Sequence, residues 1–177
     1  MKVLKTKFNG LLIVKQKNNF DKRGSLRETF NKKILKHNFV FEYCTTSRQN
    51  SLRGFHFQYK YQQAKYVNVV KGKILDCVID LRKNSKTFGK VFKIILSDKN
   101  CLGLYIPEGF AHAYFSYEKI NIIYYKLSNF YKPKFESGLN VMDKNLKIKW
   151  PVKKIKISKK DRKLPSLKIF SKTYKFL

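Results

Sequence analysis

At 177 residues, 43% hydrophobic and 15% aromatic, the chain is long enough for one domain with a full core and too apolar for a disordered segment. Its 40 Lys and Arg against 11 Asp and Glu give a formal charge of +29, which favours an anionic partner, either a polyphosphate backbone or a small phosphorylated ligand. Three widely spaced cysteines, Cys44, Cys77 and Cys101, lack a CxxC pair and argue for a reducing cytoplasm and against a disulfide framework or a zinc site.

The lysines are scattered singly between apolar residues, alongside many Asn, Ile, Phe and Tyr. Such a pattern follows from a compositional bias as readily as from selection for binding, so the charge alone does not assign a partner. The opening segment "MKVLKTKFNGLLIV" lacks a long apolar core with a small-residue cleavage site, and no later apolar run reaches about 18 residues. A cytoplasmic protein with no membrane contact is expected, as one domain over residues 1–177 whose basic tail, about 152–177, wraps the rest.

Along the chain, "NKKILKHNF" from Asn31 predicts a short helix. In "NSLRGFHFQ", strand alternation puts His56 on one face with Gly54 and Gln58, and Phe55 and Phe57 on the other. Strand signals then dominate: Lys65 to Val70, Lys73 to Arg82, Gly89 to Leu96, "LGLYIP", "AHAYFSY" and "INIIYYKL". Within the second of these, Leu75, Cys77, Ile79 and Leu81 share a face that reads as core, opposite Asp76, Val78 and Asp80. Turn chemistry at "VKGK", "RKNSKTFG", "SDKNCLG" and "PEGF" spaces these strands as in an all-β sandwich or barrel. Part of the tail after Pro151 predicts a further helix.

"IPEGFAHAY" resembles the second sequence motif of cupins, whose histidine, here His112, is often a metal ligand. The first cupin motif would supply His-x-His and a following glutamate, whereas this chain reads His56-Phe57-Gln58 with no glutamate before Asp76. Two histidines without a clear third donor do not hold a metal, so a metal-free, all-β cupin or jelly-roll barrel is expected.

Six blocks, "DKRGSLRETF", "NSLRGFHFQ", "QAKYVNVVKGKILDCVIDLRKNSKTFG", "IPEGFAHAY", "YYKLSNFYKPKFESGLNVMDKNLKIKWP" and "SKKDRKLP", resemble in order the signature blocks of the dTDP-4-dehydrorhamnose 3,5-epimerase family. The resemblance covers nearly all of residues 20–165. It implies a jelly-roll homodimer that epimerises a nucleotide-diphosphate-linked 4-keto sugar for bacterial surface polysaccharides, without cofactor. C3 and C5 of such a sugar both flank the C4 ketone, so each gives an enolate on losing a proton. The chemistry needs a base on one face, a proton donor on the other, and a cation at the keto oxygen.

The resemblance assigns His56 as base, and imidazole ordinarily titrates at about 6.5. Asp161 would orient it, with Asp76 a second carboxylate. Tyr125 would reprotonate the opposite face; Lys65 would stabilise the enolate, with His112 close by. Arg23 and Arg53 would hold the diphosphate, a role suited to a planar guanidinium. Tyr131 would stack on the base, Lys160 and Glu136 would make further substrate contacts, and Glu28 would reach the nucleotide from the partner subunit.

One block departs from the family. Allowing one deletion, Glu42-Tyr43-Cys44 stand where Gln-Asp-Asn is usual. A carboxylate accepts two hydrogen bonds from guanine and finds no such donor pair on thymine, so Glu42 points to GDP, as in GDP-linked 4-keto heptoses. Inversion at C3 alone is the nearest alternative. A basic nucleic-acid-binding β-barrel with Phe55, Phe57 and Tyr66 stacking on bases is a remote one, and leaves the ordered blocks unexplained.

Overall fold

β-branched and aromatic runs broken by glycine and asparagine turns form, in a computed structural model describing residues 1–173, thirteen strands. They are β1 (Lys2–Lys5), β2 (Leu12–Lys15), β3 (Lys17–Asp21), β4 (Gly24–Glu28), β5 (Phe41–Arg48), β6 (Leu52–Gln58), β7 (Lys65–Lys71), β8 (Lys73–Asp80), β9 (Val91–Ser97), β10 (Leu102–Ile106), β11 (Phe110–Ser116), β12 (Ile120–Leu127) and β13 (Glu136–Gly138). Helices α1 (Lys159–Arg162) and α2 (Leu167–Thr173) follow. No helix among the described residues is long and apolar enough to cross a membrane.

The strands make a six-stranded sheet, β1-β2-β10-β7-β12-β5, and a five-stranded sheet, β13-β6-β11-β8-β9. β3 and β4 pair only with each other. This is the expected all-β jelly-roll architecture. Its inner core, Val67, Val69, Ile74, Val78, Leu104, Ile123 and neighbours, draws on both sheets. The site described below opens into that core.

The face of β8 expected to be core is core, with Cys77, Ile79 and Leu81 buried and Leu75 packed against them, and the opposite face is buried as well. Ile74, Asp76 and Val78 are fully buried, and so are Cys77 and Ile79 on the opposite side. The outer face is covered because Leu139, Val141, Leu146 and Phe170, all beyond β12, pack on Phe55, Phe57, Cys77 and Ile79. The tail therefore lies against the back of the five-stranded sheet as far as Thr173, and its last four residues are outside the described part.

The helix expected from Asn31 is absent. The Ile34 and Leu35 amides close one turn on the Asn31 carbonyl, and the chain then runs without regular structure to β5. The Asn31 side chain accepts from the Lys33 amide, offering the backbone a turn in place of a helix. Phe30 meets Phe39 edge to face at 5.4 Å, drawing the two ends of the segment together over Tyr66. The helical reading after Pro151 is met by α1 and α2.

The stacking platform of the nucleic-acid alternative does not exist. Phe55 and Tyr66 are fully buried and Phe57 is 5% exposed, so none of these rings is free for a base.

Candidate active site

His56 lies in β6, directly across from His112 in β11. Gly54 makes this approach possible. It sits at φ +113°, and a Cβ there would lie 2.5 Å from the His112 carbonyl oxygen and 2.6 Å from Ala113 Cα. Only glycine admits the two backbones so close.

One cavity of about 150 Å³, inside the barrel mouth, is lined by Tyr43, Thr45, Arg53, His56, Phe57, Gln58, Gln63, Lys65, His112, Tyr114, Tyr125, Tyr131 and Glu136. That volume suits one small ring; a whole nucleotide sugar needs several hundred Å³, so its remainder would extend along the rim. A more open cleft shares Arg53 and His56 and is lined by Lys156, Lys160, Asp161 and Arg162.

His56 Nε2 lies 2.8 Å from Asp161 Oδ1. With Nε2–H donating to the carboxylate, the ring's lone pair is on Nδ1, the arrangement of an oriented base. Ser158 caps α1 by accepting from the Asp161 amide, and thereby fixes Asp161 below β6. Burial alone would raise the Asp161 carboxyl; His56, the Gly54 amide and Ser158 outweigh it and hold the group below its ordinary value.

A second pair lies deeper. His112 Nε2 is 2.8 Å from Asp76 Oδ2, with His112 5% exposed and Asp76 fully buried. Asp76 Oδ1 has no partner among the described residues. Lys65, 8% exposed, donates to the His56 carbonyl at 3.3 Å. Burial lowers its ammonium to about 8, against the pull of Glu136 and Asp76.

Tyr125 is 3% exposed and stacks on Tyr43 with ring centroids 4.7 Å apart. Burial, then Tyr114 and Tyr43, push its hydroxyl well above the ordinary phenol value, so it is held as a proton-bearing group at neutral pH. At the rim, Tyr131 donates to Glu136 at 3.0 Å, and Lys160 pairs with the same carboxylate. Burial would raise Glu136, but Lys160, His56 and Tyr131 keep it lowered.

Of the expected residues, His56, Lys65, Tyr125, His112, Arg53, Tyr131 and Glu136 line the cavity, with Asp161, Asp76 and Lys160 hydrogen-bonded to members of that set. Three do not join it. Arg23 is held in the β3–β4 hairpin by Asp21, and Glu28 accepts from Asn31. Glu42 is a correction to the guanine reading. β5 alternates, so Tyr43 and Thr45 face the cavity while the Glu42 carboxylate turns to the other side, onto Tyr124 and Lys126. Tyr43, Thr45 and Tyr114 are absent from the expected set. Alternation about Tyr43 was the available signal. Among the described residues no three His, Cys, Asp or Glu side chains group so as to hold a metal.

A family model described as dTDP-4-dehydrorhamnose 3,5-epimerase matches residues 5–168. The enzyme of that name from Methanothermobacter thermautotrophicus is 38% identical over 167 residues, 90% of each chain. Among solved structures, the dTDP-4-dehydrorhamnose 3,5-epimerase of Bacillus anthracis, with TDP and pyrophosphate bound, aligns at TM-score 0.90 and 37% identity over 94% of this chain and 99% of that one. A 3'-monoepimerase from Streptomyces bikiniensis, in complex with dTDP-quinovose, aligns at TM-score 0.88 and 26% identity over 94% and 88%.

Proposed function

The chain belongs to the dTDP-4-dehydrorhamnose 3,5-epimerase family, and on that premise we propose that it inverts C3 and C5 of a dTDP-linked 4-keto-6-deoxy sugar. The observation that carries this reading is the convergence of His56 with its Asp161, Lys65 and Tyr125 on one small cavity.

His56 removes the proton α to the ketone, and Asp161 stabilises the imidazolium that forms. Lys65, ammonium at neutral pH, balances charge as it moves onto the keto oxygen. Tyr125 delivers a proton to the opposite face of the same carbon. The buried His112–Asp76 pair faces the interior near Lys65 and helps set the polarity at that oxygen. Arg53 and Lys160 border the open cleft and take the diphosphate, while Tyr131 lies against the base.

A GDP-linked sugar is not favoured, because the carboxylate that suggested guanine faces away from the cavity. The whole chain acts as one epimerase unit in the reducing cytoplasm, as a homodimer. The β3–β4 hairpin supports the dimer: it exposes Phe20 (78%) and Leu26 (70%), and it carries Arg23 and Glu28 away from their own chain's cavity.

Turnover of dTDP-4-keto-6-deoxyglucose in deuterated water, followed by NMR, tests the assignment. Deuterium at both C3 and C5 is expected. Label at C3 alone gives the monoepimerase instead, and label at neither carbon overturns the reading.

A further inference from the structure

Buried hydroxyls are uncommon in an apolar barrel, and two of them, on Ser47 and Tyr114, form a row with the half-buried Thr45 beside Tyr125. Arg53 Nε donates to Ser47 Oγ at 3.0 Å, Ser47 Oγ lies 2.9 Å from the Tyr114 hydroxyl, and that hydroxyl lies 3.0 Å from Thr45 Oγ1. Thr45 lines the same cavity as Tyr125, diagonally across the β5–β12 ladder, and its hydroxyl offsets part of the rise that burial imposes on the Tyr125 phenol, as a donor to that oxygen does. Ser47 is 1% exposed and Tyr114 3%, so each of their protons needs a partner inside the protein.

The direction of the row follows from the chemistry of its outer end. A guanidinium N–H only donates. Ser47 therefore accepts from Arg53, and its single hydrogen is left for Tyr114. The Tyr114 hydrogen then goes to Thr45, and the Thr45 hydrogen goes to the Tyr125 oxygen. Tyr125 receives a donor at its oxygen, and its own O–H remains free to point at the sugar carbon.

We propose that Tyr114 is a positioning residue of the epimerase, linking Arg53 through Ser47 and Thr45 to Tyr125 in a one-way hydrogen-bond chain that supports the phenolate formed when Tyr125 protonates carbon. In that step the Tyr125 O–H bond breaks as the new C–H bond forms and the enolate collapses to the ketone. The charge left on the Tyr125 oxygen is met by the Thr45 hydroxyl, itself polarised through Tyr114 and Ser47 toward the Arg53 cation. The inference rests on the function proposed above.

Its signature is a change in how the enolate partitions. His56, 31% exposed, can swap the proton it took for a solvent deuteron and return that to the same face, restoring labelled substrate, while Tyr125 alone gives the inverted product. With the chain cut, return from His56 gains on delivery from Tyr125. Exchange of solvent deuterium into recovered substrate therefore rises relative to product formed.

Tyr114→Phe and Thr45→Val each remove one hydroxyl with little change in shape. In deuterated water with dTDP-4-keto-6-deoxyglucose, each is expected to raise the ratio of substrate exchange to product about tenfold, the value of one hydrogen bond to a charged group. The double variant should exceed neither single one appreciably, since a chain is cut only once. A ratio within about twofold of wild type in either folded variant overturns the chain, and so does an equal fall in both rates, the mark of a merely structural role. Wild-type protein that exchanges no carbon-bound hydrogen overturns the function beneath it, before any variant is compared.

Discussion

His56 and His112 are register partners across β6 and β11, and each ring is held by its own carboxylate, Asp161 and Asp76, at 2.8 Å. Their surroundings separate their roles. The His56 side chain is 31% exposed and that of His112 5%, so only the first can trade protons with solvent between turnovers.

Asp161→Asn tests this assignment. The amide keeps the shape but offers the imidazolium no charge, and it can present an N–H to Nε2, so that the other nitrogen carries the proton. We expect kcat to fall about 10² to 10⁴-fold with KM nearly unchanged. Steady-state kinetics check it, and a loss of less than threefold would remove Asp161 from the chemistry.

On the proposed mechanism Lys65 should give the pH profile its alkaline limb. A lysine lowered by burial carries its charge below its folded value, about 8, and loses it above. The cation that meets the enolate is therefore present at neutral pH and titrates away between about 8 and 9. kcat/KM, which reports the free enzyme, should bend near 8 and then fall tenfold per pH unit. Lys65→Arg, charged throughout this range, should lose that bend whatever its residual rate. A bend kept in the variant would assign the limb to another group.

Six strands from Lys65 to Leu127 were legible because β-branched and aromatic runs alternate with glycine turns there. β1 to β5 and β13 were not. β5, "FEYCTTSR", is an edge strand with mostly exposed residues, so its polar composition hides a strand held by pairing with β12. For the same reason Glu42 was read as the residue facing the base, although periodicity gives that face to Tyr43 and Thr45. The residues of the proposed catalytic group were legible as motif blocks. The pairing of His56 with Asp161, 105 residues apart, had no local signal, because only the cap at Ser158 and the cover of the sheet by the tail bring Asp161 beneath β6.

Gly54→Ala should be among the costly single-methyl changes in this protein. The added carbon would meet the His112 carbonyl oxygen at 2.5 Å and Ala113 Cβ at 2.6 Å, in backbone that cannot retreat without parting β6 from β11. A positive φ adds strain. The expected loss is at least about 2 kcal/mol, or about 4 to 8 °C in Tm. Thermal unfolding of the variant measures it. A Tm within about 1 °C of wild type would mean that the two strands are less closely apposed.

Glu42→Gln distinguishes a base-reading carboxylate from one that only ties strands together. Its carboxyl is lowered by Lys126 and Tyr124, the partners next to it on β12, and all three lie on the face of the sheet opposite the cavity. The Glu42 side chain is half exposed, so loss of the pair should cost less than about 1 kcal/mol of stability. Affinity for dTDP should stay within about twofold of wild type, and so should the ratio of dTDP to GDP affinity. Isothermal titration calorimetry with both nucleotides reads the ratio directly. GDP binding that is tighter than dTDP in wild type and collapses in Glu42→Gln would return the guanine contact to this residue, and would require β5 to present its other face to the nucleotide. Tyr43→Ala should instead weaken both nucleotide sugars' turnover, since it removes the ring stacked on Tyr125 at 4.7 Å.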